Sequence, residues 1–323
     1  MAFCTQPFTH IEIYENGDVF NCCPAFLDYK SIGNIFENSF EQVWNSEKVI
    51  ELREKVLNND FSLCSDLCPR KLEENKSPRE EHFNPTMIEY PKIISISSDN
   101  ICNVRCKICR DDFFKSPISD EVFESKIKDT ILPIFKNAHS IRFGCSGEPF
   151  ASRKEKTLMK SISETYPNIK YHIHTNGILG DKKLLDELGI YEKINIMTVS
   201  IHSASRWTYN KIVRGGNYDK MLKNLKLYSE MKEQNLIDNL RMIFVVYSEN
   251  YKEMPKFIEL AKKHNANPEF WAYRINETEL GRNYEKYSII EPTHKEHKNL
   301  VKILKSRIFD SVTLYPELEQ LRQ

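Results

Sequence analysis

Ile101-Cys-Asn-Val-Arg-Cys-Lys-Ile-Cys-Arg110 is the stretch on which the reading of this chain turns. Cys102, Cys106 and Cys109 lie close enough for one loop to present three thiolates to one centre. A [4Fe–4S] cube held by three cysteines keeps its fourth iron open to a ligand from elsewhere. Zinc takes thiolates as well, but a structural zinc site closes four ligands around the metal and usually draws on paired Cys-x-x-Cys units. Both metals stay open on residue type, and the spacing favours the open cube.

Working outward, Ile93–Ser97 reads as a strand that runs directly into the cysteine loop. Further strand patterns fall at Ser140–Phe143, Lys170–His174, Ile194–Ile201, Leu240–Tyr247 and Glu269–Arg274. Between them, segments such as Lys154–Thr165, Tyr218–Met231 and Tyr251–His264 carry apolar residues at helical intervals. Such alternation predicts an α/β fold with a parallel sheet and right-handed crossovers. Six units rather than eight predict a partial (β/α)6 TIM barrel, with the active site on the loops at the carboxyl ends of the strands. The three-cysteine loop belongs to that end.

The chain has 323 residues, with 46 Lys+Arg balanced by 46 Asp+Glu. Net charge zero removes the electrostatic footprint of a nucleic-acid binder. No signal peptide is evident and no apolar run is long enough to span a bilayer, so a cytoplasmic protein without a membrane partner is expected. In a reducing compartment the nine cysteines point to metal or catalysis rather than to disulfides. Their distribution suggests two centres.

Residues 1–70 read as a separate N-terminal module. Phe8–Tyr14 alternates, turns at Asn16-Gly17 and returns through Asp18–Cys22, a hairpin that carries Cys22 back toward Cys4. Cys64 and Cys68 could then close a four-cysteine site, with Cys23 as a spare, and either an iron–sulfur cluster or zinc suits those ligands. The capping box Ser39-Phe-Glu-Gln42 opens helical stretches containing Trp44 and Leu52. Residues 71–90, charged and proline-bearing, read as a linker; 91–275 is the barrel, and 276–323 a C-terminal extension with one amphipathic helix around His294–Ile308.

Turns with chemical content follow successive strands. Phe143-Gly-Cys-Ser-Gly-Glu-Pro-Phe150 exposes backbone groups and a carboxylate, with Pro149 fixing the exit. The third strand ends in His174-Thr-Asn-Gly177 and the fourth in Val199-Ser-Ile-His202; Ile212-Val-Arg-Gly-Gly216 comes next, and the fifth strand runs into Glu249-Asn250 and Glu253-Met254. Each alone is a common turn; their order, one per strand–helix unit, is the informative part.

With Ile108 before the third cysteine, this ordered set resembles the radical S-adenosylmethionine (SAM) superfamily. The resemblance implies that Cys102, Cys106 and Cys109 hold a [4Fe–4S] cluster whose open iron takes SAM. Ser146, Gly147 and Glu148 match a Gly-Gly-Glu-Pro segment that binds the SAM amino group, with serine for the first glycine. Asn176 matches the family's Thr-Asn-Gly, and Ser200 and Arg214 match contacts to the SAM ribose and carboxylate. His202 stands where the family often has an acid; it is read as either satisfied by its own loop or facing the ligand. His172 and His174 share one side of their strand, with packing as the default, and Tyr247, Tyr273 and Arg274 are candidate substrate contacts. The N-terminal pattern is similar to SPASM/Twitch domains, which implies one auxiliary [4Fe–4S] cluster on Cys4, Cys22, Cys64 and Cys68, although such domains usually follow the barrel.

The family chemistry implied is one-electron cleavage of SAM, fed by a flavodoxin or ferredoxin type donor, and hydrogen abstraction by a 5′-deoxyadenosyl radical. The module suggests a ribosomally made peptide as substrate, with oxidation, cross-linking or epimerisation as outcome, and Cys145 is the candidate thiol for returning hydrogen. A sugar or aminocyclitol is the alternative substrate. A non-catalytic iron–sulfur or zinc protein is the alternative of another class.

Overall fold

Along Lys170–Thr175 every second residue is buried, with Tyr171, Ile173 and Thr175 inward, and the segment is a strand as that alternation dictates. The computed structural model describes residues 3–22, 31–65, 68, 83–109, 118–273 and 283–323. In chain order the strands are β1 (His10–Ile13), β2 (Asp18–Phe20), β3 (Gly33–Asn34), β4 (Ile93–Ile96), β5 (Arg105–Cys106), β6 (Ser140–Phe143), β7 (Lys170–Thr175), β8 (Ile194–Ser200), β9 (Val213–Arg214), β10 (Asn239–Val246), β11 (Asn267–Ala272) and β12 (Thr313–Leu314). The six barrel strands expected from the sequence are all present, within two residues at most ends. The α/β class with largely parallel pairing holds.

One compact unit comprises Met1–Asn100, Lys115–Gly147 and Ser152–Tyr171. Its strands are ordered β3-β2-β1-β4-β6. The hairpin forms as expected: β1 and β2 are antiparallel, the Tyr14 amide donates to the Asp18 carbonyl at 2.9 Å, and Asn16 Oδ1 accepts from the Asp18 amide at 3.0 Å. Before it, Gln6–Thr9 is a helical turn rather than an extension of the strand. Pro7 explains this, because a proline in the first turn presets the backbone and gives up an amide that would have no partner there. β1 also pairs in parallel with β4, from His10 opposite Ile93 to Ile13 opposite Ile96, so the N-terminal hairpin continues the sheet begun by the first barrel strand.

The capping box at Ser39 forms, with Gln42 as its other half. Arg53 is fully buried; its guanidinium lies 4.2 Å over the Trp44 ring and donates to the carbonyls of Pro7 and Pro85 and to Asn45 Oδ1. Between the cysteine loop and β6 the chain makes an α-helix (Asp120–Lys126), a π turn (Ile127–Ile131) and a 3-10 turn (Leu132–Asn137). Pro133, lacking an amide, cannot extend an α-helical hydrogen-bond ladder through that point. Helix Arg153–Thr165 is capped by Ser152 and buries Leu158, Met159 and Ile162. The expected linker is largely outside the described residues, as are Cys23 and Arg274.

The other unit comprises Ile101–Phe114, Glu148–Ala151 and His172–Gln323. β8, β10, β11 and β12 pair in parallel, with Thr198 opposite Arg241 and Val245 opposite Trp271. Leu240, Met242, Phe244 and Val246 are fully buried, and Phe244 meets Phe257 and Phe270 at centroid separations of 5.0 and 5.5 Å. Each such side chain contributes roughly 1.5–3 kcal/mol of burial. Helices start where side chains can cap them: Asp181, Ser205 and Asn217 each accept a first-turn amide. The helix expected around His294–Ile308 is shorter, His297–Leu304, and a further helix, Pro316–Arg322, follows it.

Candidate functional site

Backbone pairing holds the three-cysteine loop. β5 lies antiparallel to β9, Arg105 opposite Arg214 and Cys106 opposite Val213, and the Lys107 amide donates to the Ile212 carbonyl at 2.8 Å. The Cys109 amide donates to the Cys106 carbonyl at 3.1 Å, closing a turn that brings those two residues round on each other. Val104 and Ile108 are buried and anchor the loop, while Cys102 and Cys106 are half-buried and Cys109 is exposed. Lys107 Nζ donates to Glu249 Oε2 at 2.9 Å and lies 5.0 Å from the Tyr287 ring centre; Lys211 approaches the same carboxylate at 3.4 Å. Burial opposes ionisation of Glu249, but Lys107 and Lys211 outweigh it and hold the carboxyl below its ordinary range.

Asn176 ties the loop to the strand behind it. Its Nδ2 donates to Asn103 Oδ1 at 2.8 Å and to Cys102 Sγ at 3.8 Å, while its Oδ1 accepts from the Ile178 amide at 3.0 Å. The next residue must be glycine: Gly177 has φ +79°, and a Cβ there would stand 2.8 Å from Val199 Cγ1. Glu148 is 2% exposed and turns its carboxylate into the protein, accepting from Thr175 Oγ1 at 2.8 Å, the Asn176 amide at 2.7 Å and the Phe150 amide at 3.3 Å. Burial raises it to about 7 despite those three donors. Its own amide donates to the Ile101 carbonyl at 2.8 Å, so Glu148 joins the start of the cysteine loop to the Thr175–Asn176 turn.

A cavity of about 310 Å³ opens beside the loop, lined by Cys102, Asn103, Val104, Arg105, Arg214 and Gly215. Gly215 has φ +78° and open space where a side chain would point. The exposed Arg214 and the half-buried Cys102 both line this hollow, a cation and a thiol on one cavity. Ser200 Oγ and His174 Nε2 are 2.7 Å apart, and Thr198 Oγ1 and His172 Nε2 2.9 Å, so both histidines are engaged by the next strand, in line with the packing reading.

His202 has φ +61° and is buried. Its Nδ1 accepts from the Val245 amide at 3.1 Å, its carbonyl accepts from Asn250 Nδ2 at 2.9 Å, and burial lowers it to about 4. It is therefore a neutral imidazole whose Nδ1 is already used by its own surroundings. Glu253 completes this corner by accepting from the Ala204 and Ser205 amides at 2.7 and 3.2 Å and from the Ser205 and Thr208 hydroxyls at 2.6 and 2.5 Å.

The remaining residues of interest lie in the N-terminal unit. Ser146 Oγ donates to Asn100 Oδ1, and Asn100 Nδ2 donates to Glu15 Oε1 at 2.8 Å. Gly147 has φ +106°. The Cys145 residue is exposed, yet its sulfur is packed round by protein, which raises the thiol to about 11; Arg142 and Ser95 oppose the shift, and Glu12 and Glu155 add to it. Cys4, Cys22 and Cys64 are half-buried and Cys68 is buried. Phe3, Phe8 and Phe83 cluster with ring centroids 4.8–5.7 Å apart, Phe83 stacked on both of the others. The Cys64 and Cys68 amides close short turns onto the Phe61 and Ser65 carbonyls.

Among the described residues no three His, Cys, Asp or Glu side chains already converge at metal-ligand distance. Fit to a cluster is therefore judged on donor chemistry and space. Three cysteines on one clamped loop, an amide donor already on Cys102 Sγ and a hollow lined by an arginine suit an iron–sulfur cluster and an anionic ligand beside it. The roles of Asn103, Lys107 and Thr175 were not read from the sequence, although all three lie inside the quoted motifs.

A Radical SAM superfamily model matches residues 96–261, and a SPASM iron–sulfur cluster-binding domain model matches residues 4–69. Over 188 residues the chain is 27% identical to GTP 3',8-cyclase of Limosilactobacillus fermentum, covering 55% of this chain and 52% of that protein. It is 26% identical over 180 residues to a probable GTP 3',8-cyclase of Saccharolobus islandicus, covering 54% of each. The chain thus spans about half the length of the curated relatives it matches. Among solved structures, Streptococcus suis SuiB bound to S-adenosylmethionine aligns with 97% of this chain and 72% of its own, at 15% identity and a TM-score of 0.47. No helix among the described residues is long and apolar enough to cross a membrane. With the superfamily model spanning 96–261 of 323 residues, the chain belongs to the radical SAM superfamily, has its SPASM domain at the N-terminus, and takes SAM, a SAM-binding [4Fe–4S] cluster and an auxiliary cluster as cofactors.

Proposed function

We propose that the protein is a radical SAM enzyme that modifies a ribosomally synthesised peptide. The observation that carries the enzyme reading is the clamped loop of Cys102, Cys106 and Cys109 beside the hollow that Arg214 lines. The peptide reading rests on the SPASM domain. When bound, the cluster and SAM supply a 5′-deoxyadenosyl radical that takes hydrogen from a C–H bond of the substrate.

The three cysteines hold the SAM-binding cluster, and Asn176 orients Cys102 by donating to its sulfur. Arg214 would meet the SAM carboxylate with its charge, and Ser200 would contact the ribose. Ser146 and Gly147 offer backbone groups to the SAM amino group. Glu148 and His202 act one layer behind, Glu148 by fixing the Asn176 turn and His202 by fixing the end of β8. Cys4, Cys22, Cys64 and Cys68 hold the auxiliary cluster. A flavodoxin or ferredoxin type protein delivers the electron.

Cys145 would be the hydrogen-atom donor if the outcome is epimerisation: its thiol, raised to about 11, stays protonated at neutral pH, and the thiyl radical left by donation would be restored by one electron from the external reductant and one proton from solvent. Without that donation, the auxiliary cluster that Cys4, Cys22, Cys64 and Cys68 would hold would supply the one-electron acceptor for the substrate radical, and the product would be oxidised or cross-linked. The sequence relatives named GTP 3',8-cyclase motivate a second reading, with a nucleotide in place of the peptide.

The test is anaerobic reconstitution with iron and sulfide, followed by SAM, dithionite and candidate peptides encoded beside the gene, with GTP as the parallel substrate. A peptide product of altered mass, or deuterium uptake from D2O that Cys145→Ala abolishes, supports the proposal. Turnover of GTP alone replaces the peptide reading, and absence of 5′-deoxyadenosine from cluster-loaded protein overturns both.

A further inference from the structure

Tyr209 and Tyr247 are fully buried, and neither hydroxyl has a hydrogen-bond partner among the described residues. Other buried tyrosines of the same unit and of its neighbour are satisfied: Tyr228 Oη donates to the Gly180 carbonyl at 2.7 Å, and Tyr171 Oη bonds Ser163 and the Met159 carbonyl. A buried O–H without an acceptor bears its full desolvation cost, so two of them in one region call for an explanation.

Both belong to the surroundings of Cys106. A side chain at Gly216 would strike Val213 Cγ1 at 2.8 Å and Tyr209 Cε1 at 2.9 Å, so the Tyr209 ring edge and Val213 close over one spot, and Val213 is the residue paired with Cys106. Tyr247 directly follows β10, two residues before Glu249, which holds Lys107 next to Cys106. The charges that bear on Tyr209 are Cys106, Glu148 and Tyr218, and those on Tyr247 are Glu249, Tyr287, Cys106 and Arg214. Cys106 is common to both sets. A phenol is protonated at neutral pH, so each tyrosine brings a hydrogen-bond donor to that corner.

We infer that Tyr209 and Tyr247 are positioning residues for the SAM-binding cluster, their hydroxyls donating to sulfur at the Cys106 corner and easing its one-electron reduction. This rests on the radical SAM reading of the three-cysteine loop. Reduction adds one electron from an external reductant and places more negative charge on the sulfurs; the tyrosines lose neither proton nor electron. Hydrogen bonds to cluster sulfur favour the more negative state and so raise its potential.

The test is an EPR-monitored redox titration of reconstituted wild type, Tyr209→Phe, Tyr247→Phe and the double variant, following the signal that changes on adding SAM. Phenylalanine keeps the ring and removes only the hydroxyl. The expected result is a shift to more negative potential in each single variant and a larger one in the double, with iron content unchanged. Tyr228→Phe, which breaks a satisfied bond elsewhere, leaves the potential in place. Potentials equal to wild type in cluster-loaded Tyr209→Phe and Tyr247→Phe overturn the inference; if one variant fails to load, the other decides. Failure of the wild type itself to bind a SAM-responsive cluster would instead remove the underlying reading.

Discussion

The two cysteine sets differ in how the chain brings them to their centres. Cys102, Cys106 and Cys109 sit on one short loop whose backbone is clamped by β9 and whose flanks are fixed by Asn176 and Lys107. Cys4, Cys22, Cys64 and Cys68 are spread along the N-terminal module and depend on a hairpin, a capped helix and a buried arginine to set their backbone. In the first set the backbone is already clamped by pairing with β9. The second asks metal binding to contribute to folding, because distant ligands can be gathered only at the cost of chain entropy.

The largest effect expected from this contrast follows replacement of Cys102, Cys106 and Cys109 together by alanine. SAM cleavage disappears, iron falls from about eight to about four per chain, and the melting temperature changes little. Replacing Cys22 and Cys64 inverts the pattern: iron falls by the same amount, 5′-deoxyadenosine still forms in the presence of dithionite, and the melting temperature drops markedly. Equal destabilisation by the two sets would break the comparison. Anaerobic scanning calorimetry beside iron analysis measures it.

Asn176→Ala sharpens the comparison on the loop side. Removing the donor to Cys102 Sγ leaves the cluster's ligands intact but unoriented, and about tenfold slower SAM cleavage is expected. Smaller again is Glu249→Gln, which leaves Lys107 partly buried, at 11% side-chain exposure, without its charge partner. A loss of about 1–2 kcal/mol is expected, read as faster removal of the loop's iron by a chelator.

The turn that follows β6 carries a pH dependence. Glu148 is raised from 4.5 to about 7 by burial, so the folded state binds its proton more tightly than the unfolded chain does. Its contribution is complete below about pH 4.5 and is lost as pH rises through 7, by at most about 3 kcal/mol. Anaerobic urea titrations between pH 5.5 and 8 should show this fall in the wild type and a flatter profile in Glu148→Gln. A parallel pair of profiles would place the buried proton elsewhere.

How much of this was legible in the sequence follows from the distance between partners. The barrel strands were visible because burial alternates locally, and the cysteine loop because its ligands are near neighbours in sequence. The hairpin was visible from Asn16-Gly17. Asn103 with Asn176 and Lys107 with Glu249 were not, since each pair is joined only when separate loops meet in the fold. The parallel pairing of β1 with β4 was hidden for the same reason. The helical turn Gln6–Thr9 was missed because the alternation that starts at Phe8 was read through the signal of Pro7. Glu148 and His202, both motif residues, are buried and bonded to the backbone around them, partners that their motifs do not reveal.

The central claim is that the three-cysteine loop activates SAM. Anaerobically reconstituted protein, given dithionite and SAM, should release 5′-deoxyadenosine and methionine in equal amounts, and the variant with alanine at Cys102, Cys106 and Cys109 should release neither. Wild-type protein carrying about eight irons that yields no 5′-deoxyadenosine, or a triple variant that still does, would contradict the account.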